Sequence, residues 1–470
     1  MQDNQTIILT DEQQTAYDAI GKSPNLFLTG AAGCGKSIVI TQKVKDDTHG
    51  KVILCAVTNK AASVLEDQLG TGVEIPTLHS VLGLKPVYDG STKNSDDIVD
   101  FIFPTSARNL VHLIGHSLII DEASMICLPL QQYILELLEQ KNITSVTFVG
   151  DRYQLPCVKG DVFNYEAIGE IIELKKVQRA KGELSDYYNR VRKQVIQNQT
   201  IELYENATLF YNQRDFISYM KEKDESKIII TYTNEAASRY SSLIDSKLLY
   251  VGQECTSLSH AVFKHCESLK KVAIKTNFLV VIEKIFKNYG QMERDAIKND
   301  YEFRLPKEPI GIEISNISYA KVINTKEETV YISVWDGTQS EKEDLYLNKF
   351  NREYRDFQDI VKPIVKRDIW NKYAKSNGYL KKLSSLIPLT TLPSNIRQKD
   401  LVFWNNFHVV SDAVILRSKY VSTAHRAQGI TVNTVGIDLD NLPLDDDKKL
   451  AYVALTRASK ELVFFKSKGA

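Results

Sequence analysis

Eight residues near the N-terminus have the types and spacing of a phosphate-binding loop. Gly30 to Ser37 reads G-A-A-G-C-G-K-S, which fits the pattern G-x-x-x-x-G-K-S, and a short apolar run before it and a helical pattern after it supply the strand–loop–helix context. Glycines let backbone N–H groups point at phosphate oxygens, and the helix N-terminus adds partial positive charge. We expect Lys36 to neutralise the β- and γ-phosphates and Ser37 to ligate Mg²⁺. The loop therefore predicts binding of a nucleoside triphosphate.

Two acids follow a later buried strand and are predicted to act on the same nucleotide. The run Ser117–Ile120 ends in Asp121-Glu122. Acids at the carboxyl end of a buried strand are costly unless they face a cation. We expect Asp121 to hold Mg²⁺ and Glu122 to polarise the attacking water. The alternative, a pair of solvated loop acids, is weaker because the phosphate loop is present.

Three more polar residues are candidates for contacts with the nucleotide. Gln154 follows the strand at 145–149, and its amide can touch a water or a γ-phosphate without adding charge. Arg179 is a candidate transition-state cation. Gln13 either forms a capping box with Thr10 at the start of the first helix or contacts an adenine edge, and the cap needs fewer assumptions.

The elements around these residues alternate between strand and helix. Val52–Val57 is a continuous apolar run typical of a buried parallel strand, and Thr58 stands where the next helix begins. Thr58 either binds a phosphate there or caps the helix. The same order returns without a second phosphate loop, as an apolar strand at 227–232 followed by Thr233-Asn234, which predicts a second, similarly built domain. Its later strands are expected at 418–422, 434–438 and 462–465.

Two other stretches differ from this pattern. A hairpin is expected at 85–104. Its aromatic residues Tyr88, Phe101 and Phe103 form either a small satellite core or an exposed wedge, and we favour the core for at least two of them. Between about 251 and 416 β-like runs alternate with polar turns, and the stretch 362–382 interleaves basic residues with aromatic ones, Trp370 among them. That stretch either binds a single strand, with bases stacked on rings, or forms an amphipathic surface helix.

Composition restricts the class of protein. The 470 residues are 43% hydrophobic and 25% charged, typical of a globular protein of about three or four domains. The net charge of zero excludes an overall basic surface but leaves room for a local basic groove. Six cysteines without C-x-x-C spacing favour reduced thiols and argue against a zinc ribbon. The polar N-terminus and the lack of a long apolar run predict a cytoplasmic protein without a membrane segment.

The order of these motifs resembles that of the superfamily 1 helicases, more narrowly the RecD-like branch (superfamily 1B) and, within it, the Dda helicases of phages. The resemblance covers almost the whole chain and is weak from about 251 to 416. The set of motifs is far more specific than any single motif in it. It is carried by Leu9-Thr-Asp-Glu-Gln13, Gly30 to Ser37, Thr58, Asp121-Glu122-Ala-Ser124, Gly150-Asp-Arg-Tyr-Gln154, Arg179, Ser422-Thr-Ala-His-Arg-Ala-Gln-Gly429 and Tyr452-Val-Ala-Leu-Thr-Arg457.

The resemblance implies an α/β fold of two RecA-like P-loop NTPase domains, with an inserted β-hairpin (the pin) and an SH3-like β-barrel insertion. Domain 1A would span 1–178, with the pin hairpin (domain 1B) at about 81–110. Domain 2A would comprise 179–302 and 417–470, and the SH3-like insertion with an extension (domain 2B) 303–416.

The resemblance also implies roles for single residues, with ATP and Mg²⁺ as cofactors in a cleft between the two domains. The catalytic residues would be Lys36, Asp121, Glu122 as base, Gln154 as γ-phosphate sensor, and the arginine fingers Arg179 and Arg457. Ser37 and Asp121 would hold the metal, and Gln13, Gly30, Ala31, Ala32, Gly33, Cys34, Gly35, Lys36, Ser37 and Gly429 the nucleotide. DNA would be contacted by Thr58, Asn59, Thr77, His79, Phe101, Phe103, Thr233, Asn234, Trp370, Thr423, His425 and Gln428.

The activity implied is a DNA-dependent ATPase and helicase that moves 5′ to 3′ on single-stranded DNA and splits a forked duplex at the pin. A monomeric motor is expected, with single-strand-binding or replisome proteins as further partners and a location in the cytoplasm, at the nucleoid or in a phage-infected cell. Two alternatives stay open: a single-strand translocase that displaces bound proteins, and a subunit that binds nucleic acid and uses ATP as a switch.

Overall fold

The structure is a computed structural model. It describes residues 9–70, 73–88, 98–102, 107–157, 160–176, 178, 182–245, 249–258, 261–264, 271–274, 279–299, 308, 316–324, 329–336, 339–345, 394–442 and 444–467. Contacts between residues divide the chain into two compact units. The first contains Met1–Leu84, Phe103–Ile244 and Tyr420–Ala470, and the second contains Lys85–Ile102 and Asp245–Lys419.

The first unit contains two five-stranded parallel sheets. The first sheet has the strand order β2-β5-β6-β1-β7, with β1 Asn25–Gly30, β2 Val52–Ala56, β5 His116–Asp121, β6 Ile143–Gly150 and β7 Glu170–Leu174. Its helices are α1 Asp11–Ala19, α2 Lys36–Lys45, α3 Asn59–Leu69, α4 Leu78–Val81 and α5 Leu128–Glu139. Short 3₁₀ turns occur at Ala107–Leu113, Ala123–Met125 and Tyr165–Ala167.

Parallel pairing decides which residues of the first sheet meet. Its central strands are apolar runs covered on both faces by helices, as buried parallel strands require. Thr29 pairs with Gly150, and Ala56 pairs with Asp121, so the carboxyl ends of β1, β2, β5 and β6 lie at one edge of the sheet. In open α/β sheets ligands bind outside this edge.

The second sheet is also five-stranded and parallel, but its strands come from distant parts of the chain. Its order is β17-β9-β18-β19-β8, with β8 Thr208–Phe210, β9 Lys227–Thr231, β17 Val421–Thr423, β18 Val432–Asp438 and β19 Ala458–Phe465, all parallel. Its helices are α6 Glu183–Ile196, α7 Gln213–Glu222, α8 Asn234–Ile244 and α12 Lys448–Leu455. The predicted α/β class with two RecA-like parallel sheets is confirmed.

The second unit is built on an antiparallel sheet. The strand order is β15-β14-β13-β10-β16, with β10 Glu254–Ser257, β13 Leu279–Phe286, β14 Ile317–Asn324, β15 Thr329–Trp335 and β16 Leu416–Ser418. The unit also contains the pairs β3 Lys85–Tyr88 with β4 Ile98–Ile102 and β11 Ala261–Lys264 with β12 Lys271–Ile274, and the helices α9 Tyr289–Lys298, α10 Gln339–Leu345 and α11 Ser394–Asp412. None of the described helices is long and apolar enough to cross a membrane.

The second unit starts earlier than the boundary expected at residue 303. Strands β10 and β13 pair inside the antiparallel sheet, so the boundary falls at Asp245. The first half of β13, L-V-V-I, is apolar and suits a buried parallel strand equally well, which is why its sequence did not reveal the change of sheet. The hairpin of β3 and β4 forms as predicted, but contacts group it with the second unit. The SH3-like character of this unit stays a prediction.

The single strand expected at 418–422 is two strands. β16 ends at Ser418 in the antiparallel sheet, and β17 begins at Val421 in the second parallel sheet. The chain turns at 419–420, and this turn allows the two strands to pair in different sheets. The stretch 362–382, with Trp370, lies outside the described residues, as do Phe103 and Arg179.

Candidate active site

The phosphate loop connects β1 to α2 in the geometry that its glycines allow. Gly35, the residue before α2, has φ +89°, a left-handed conformation that glycine adopts without strain. A Cβ on Gly30 would lie 2.5 Å from the Leu174 carbonyl oxygen, so β7 leaves no room for a side chain there. Lys36 Nζ donates to the carbonyl oxygens of Gly30 at 2.8 Å and Ala31 at 3.1 Å. The loop thus holds the ammonium beside the helix N-terminus, where an anionic phosphate is favoured.

Gln13 fulfils the predicted capping role and also contacts the phosphate loop. Gln13 Oε1 accepts from the Thr10 N–H at 3.0 Å, and the Thr10 hydroxyl accepts from the Gln13 N–H at 3.4 Å, which completes the capping box. Gln13 Nε2 donates to the Cys34 carbonyl at 3.3 Å. The side chain is buried, so the same amide that starts α1 is fixed against the loop. The adenine contact stays a prediction.

The acid pair lies at the carboxyl end of β5, as predicted. Asp121 is buried, and burial together with the negative charge of Glu122 raises its pKa to about 7, although the Glu122 N–H and Lys36 act in the opposite direction. Glu122 has φ +56°, a conformation that is uncommon for residues other than glycine. Backbone strain of this kind is retained where the surrounding structure demands it, and it is frequent at functional sites.

The oxygen donors present here fit a hard divalent cation. The Asp121 carboxylate and the Ser37 hydroxyl both border the cavity beside the phosphate loop. In the part of the chain that the structure describes, no group of three or more His, Cys, Asp or Glu residues is arranged to hold a metal ion. Mg²⁺ usually takes one or two protein oxygens and completes its shell with substrate phosphates and water, so this sparse donor set suits Mg²⁺ bound together with a nucleotide.

Gln428, which was predicted to contact DNA, lies beside the predicted base. Its Nε2 is 3.0 Å from Glu122 Oε2 and 3.4 Å from Gln154 Oε1, and the side chain is 7% exposed. Gln428 follows β17 of the second sheet, whereas Glu122 and Gln154 follow β5 and β6 of the first. Gln428 thus contacts the predicted base and the predicted phosphate sensor, and its contact with DNA stays a prediction.

Arg457 is fixed on the opposite side of the cavity. It follows α12, and its Nε donates to the Val453 carbonyl at 2.7 Å while Nη2 donates to the Thr456 hydroxyl at 3.0 Å. Burial lowers the pKa of Arg457, and the negative charge of Glu122 partly offsets that effect. Arg457 therefore presents its charge to the acid pair from the second sheet.

These residues border one cavity of about 370 Å³ that is lined from both parallel sheets. Its lining comprises Ala32, Gly33, Gly35, Lys36, Ser37, Ile38, Ala61, Val64, Gln68, Asp121, Glu122, Asp151, Gln154, Gln178, Gly429, Thr431 and Arg457. Five of the six predicted catalytic residues are thus brought together, and Arg179 is outside the described residues.

Seven lining residues were not predicted as site residues: Ile38, Ala61, Val64, Gln68, Asp151, Gln178 and Thr431. Asp151 directly follows Gly150 of β6 and is almost fully buried, and Gln178 and Thr431 border the cavity from loops. Tyr452, which contacts Asp151 and the phosphate loop, was noted only as part of a motif. A signal for Asp151 existed, because an acid at the end of a buried strand needs a partner, the argument that identified Asp121.

Three of the four threonines predicted to contact DNA, Thr58, Thr77 and Thr233, start helices. The hydroxyl of Thr58 accepts from the Ala61 N–H at 3.1 Å, that of Thr77 from the Ser80 N–H at 3.4 Å, and that of Thr233 from the Ala236 N–H at 3.1 Å. The helix cap suggested for Thr58 is thus present. Asn59 and Asn234 are the first residues of α3 and α8. Thr423 ends β17, His79 lies in α4, and His425 is exposed. Phe101 lies in β4.

Two family models match separate parts of the chain. Residues 13–160 match an AAA domain, and residues 373–466 match the viral superfamily 1 RNA helicase core domain. Among curated proteins, the chain is similar to the RecBCD enzyme subunit RecD of Haemophilus influenzae, with 29% identity over 174 residues that cover 32% of this chain. The match spans about a quarter, 25%, of that relative's length.

Solved structures resemble the whole chain. The Pif1 helicase from Candida albicans has a TM-score of 0.51 at 17% identity and covers 98% of this chain and 95% of its own. Bacteroides Pif1 bound to ssDNA has a TM-score of 0.52 at 18% identity, covering 97% of this chain and 92% of its own. The Bacteroides protein in complex with ADP-AlF3 and ssDNA gives the same values. At these identities the likeness shows the fold.

Proposed function

Because this chain belongs to the superfamily 1 helicases, we propose that it is an ATP-driven DNA helicase that translocates on single-stranded DNA. The observation that carries the proposal is the single cavity in which the phosphate loop and acid pair of the first sheet face Arg457 of the second. A site completed by two separately built sheets changes when they move, so nucleotide chemistry can be converted into motion.

The residues around the cavity supply the hydrolysis step. Glu122 takes the proton of the attacking water, and Gln154 and Gln428 orient the carboxylate and the water. Lys36 exchanges its two loop carbonyls for phosphate oxygens, and Arg457 stabilises the charge that develops on the transferred phosphoryl group. Asp121 and Ser37 would hold a Mg²⁺ ion, which would neutralise phosphate charge when bound.

The helix N-termini supply the grip on DNA. Thr58 and Thr233 start equivalent helices, α3 and α8, which follow β2 and β9 at the carboxyl edges of the two sheets. A phosphate at a helix N-terminus is bound without regard to base, so the grip is largely independent of sequence and weakens with salt. Alternating grip by the two sheets, timed by ATP binding and hydrolysis, moves the strand in steps.

Direction and strand separation are the finer parts of the proposal. We assign a 5′ to 3′ direction and a wedge at the hairpin of β3 and β4, with Phe101 as a wedge residue. Structures of Pif1 helicases bound to ssDNA and at forked dsDNA support DNA as the partner. In this proposal the protein distinguishes a single-stranded tail, along which it moves, from a duplex junction, which it separates.

The test is the ATP hydrolysis rate with and without single-stranded DNA for the wild type and Lys36→Ala, with Lys51→Ala, an exposed lysine away from the cavity, as the control. We expect a large stimulation by DNA that is lost only in Lys36→Ala. Forked duplexes carrying only a 5′ or only a 3′ tail then report direction. Hydrolysis that is unaffected by DNA would overturn the helicase proposal in favour of an ATP switch, and DNA-stimulated hydrolysis without unwinding would indicate a translocase.

A further inference from the structure

Tyr452 connects the two sheets through its hydroxyl group. It lies on α12 of the second sheet, is 0% exposed, and its Oη accepts from the Ala32 N–H of the phosphate loop at 3.2 Å. The same hydroxyl donates to Asp151 Oδ2 at 2.9 Å. A backbone N–H can only donate, so the hydroxyl proton is free for the carboxylate and both hydrogen bonds form at once.

Asp151 is itself held in place by the first sheet and by α6. Its Oδ1 accepts from the Tyr153 N–H at 3.1 Å and lies 3.7 Å from Arg192 Nη2. The Asp151 carbonyl accepts from the Gln154 N–H at 2.9 Å. The carboxylate that receives the Tyr452 proton thus belongs to the same turn as Gln154, which lines the nucleotide cavity.

Tyr452 is also tied to Arg457. Its backbone carbonyl accepts from the Thr456 hydroxyl at 2.8 Å, and that hydroxyl accepts from Arg457 Nη2 at 3.0 Å. Tyr452 is therefore hydrogen-bonded at its hydroxyl to the phosphate loop and at its backbone carbonyl to Thr456, which in turn contacts the guanidinium. The position of Arg457 relative to the phosphate loop depends on where Tyr452 is held.

We propose that Tyr452 is a positioning residue that aligns Arg457 with the phosphate loop when the cavity closes, by sharing its hydroxyl between Ala32 and Asp151. This inference rests on the proposed ATPase function. Burial raises the pKa of the Tyr452 hydroxyl well above its ordinary value, so the proton stays on the oxygen. In an open cavity Ala32 and Asp151 would lose this partner, so the hydroxyl favours the closed arrangement.

Tyr452→Phe tests the role, because it keeps the buried ring and removes only the oxygen. We expect kcat at saturating single-stranded DNA to fall about tenfold, the effect of losing one hydrogen bond to a charged group, while the KM for ATP changes much less. Tyr187→Phe is the matched control, since Tyr187 is equally buried in the same core and donates to the Glu202 carbonyl at 3.0 Å. It should lower the melting temperature by a similar amount without the loss of kcat.

The dependence on Arg457 is measured in a double mutant. In an Arg457→Ala background, Tyr452→Phe should change kcat by less than about twofold, because the residue to be aligned is missing. Asp151→Asn, which weakens the same hydrogen bond from the other side, should reproduce the kcat effect and gives a second route if Tyr452→Phe folds poorly. A wild-type protein without DNA-stimulated hydrolysis would refute the proposed function instead.

Three results would overturn the positioning role while leaving the ATPase intact. They are an unchanged kcat in both Tyr452→Phe and Asp151→Asn, a loss of kcat in Tyr187→Phe as large as that in Tyr452→Phe, and a full additional loss when Tyr452→Phe is combined with Arg457→Ala.

Discussion

Gln428 Nε2 donates to Glu122 Oε2 at 3.0 Å and also lies 3.4 Å from Gln154 Oε1. One amide from the second sheet therefore contacts the predicted base and the predicted phosphate sensor of the first. Within the described parts of the chain, Gln428 Oε1 is buried and has no hydrogen-bond partner, so it can accept from a donor that enters the cavity. The motif that includes Gln428 thus connects residues predicted to contact DNA with residues predicted to act on the nucleotide.

Gln428→Ala should therefore impair hydrolysis rather than DNA affinity. We expect kcat at saturating DNA to fall about 10- to 100-fold, because a hydrogen bond to a charged group contributes about 1.5–3 kcal/mol. Gln194→Ala is the control, since Gln194 is a buried glutamine of α6 that accepts from the Glu202 N–H and does not border the cavity. An intact kcat with weaker DNA binding would show that Gln428 contacts DNA after all.

Glu122→Gln should stop hydrolysis and leave nucleotide binding in place. Removing a general base costs about 10²- to 10⁴-fold in rate, whereas glutamine keeps the shape of the side chain and its contact with Gln428. Single-turnover hydrolysis and equilibrium binding of a fluorescent ATP analogue separate the two effects. Glu139→Gln, an exposed acid at the end of α5, controls for the change of charge. Hydrolysis within about tenfold of wild type would assign the base to another residue.

Substitutions of Gln13 and Thr10 distinguish the role of a helix cap from that of a nucleotide contact. Both residues form the capping box, but only Gln13 also contacts the phosphate loop. Thr10→Ala should reduce the free energy of unfolding by about 1 kcal/mol without affecting the KM for ATP. Gln13→Ala should cause a similar loss of stability and, in addition, raise the KM for ATP and weaken the preference for ATP over GTP. Equal KM values in the two variants would leave Gln13 as a cap alone.

Short-range patterns predicted which residues of the first sheet come together at the cavity. The phosphate loop, Asp121, Glu122 and Gln154 each follow a buried strand, and parallel pairing brings the ends of neighbouring strands to one edge. The contacts of Gln428 and Tyr452 could not be predicted in this way. They join residues 306 and 301 positions apart, and they depend on how the two sheets meet, which no local pattern encodes.

The limits of sequence patterns are clearest in the second unit. β13 begins with four consecutive apolar residues at 279–282, a pattern that did not identify its membership of an antiparallel sheet. Val280 and Ile282 are buried there, whereas Glu283 and Lys284 are exposed. One face of the strand packs on a core, an arrangement that becomes evident only when the partner strands are known.

The hairpin of β3 and β4 should be needed for unwinding and not for hydrolysis. If Phe101 belongs to a wedge, Phe101→Ala should lose most of its unwinding of a forked duplex while keeping DNA-stimulated ATP hydrolysis and its affinity for single-stranded DNA. The two activities of the same variant serve as each other's control, because misfolding would abolish both. Unwinding and hydrolysis at wild-type levels would place the wedge elsewhere.

His79 can report DNA contact through its own titration. Burial lowers the pKa of His79 below its ordinary value, so the folded chain binds this proton more weakly than the unfolded chain. The free energy of unfolding should therefore fall as pH decreases below about 6.5, and the fall should level off below the folded pKa. His79→Asn should remove that part of the pH dependence.

Binding of single-stranded DNA should reverse the shift of His79. A nearby phosphate favours the imidazolium, so the pKa measured by NMR should rise when DNA is added and fall back at high salt. His49, an exposed histidine outside the predicted DNA contacts, is the reference resonance. A His79 pKa that is the same with and without saturating DNA would remove His79 from the phosphate contacts and restrict the path of the strand to the N-termini of α3 and α8.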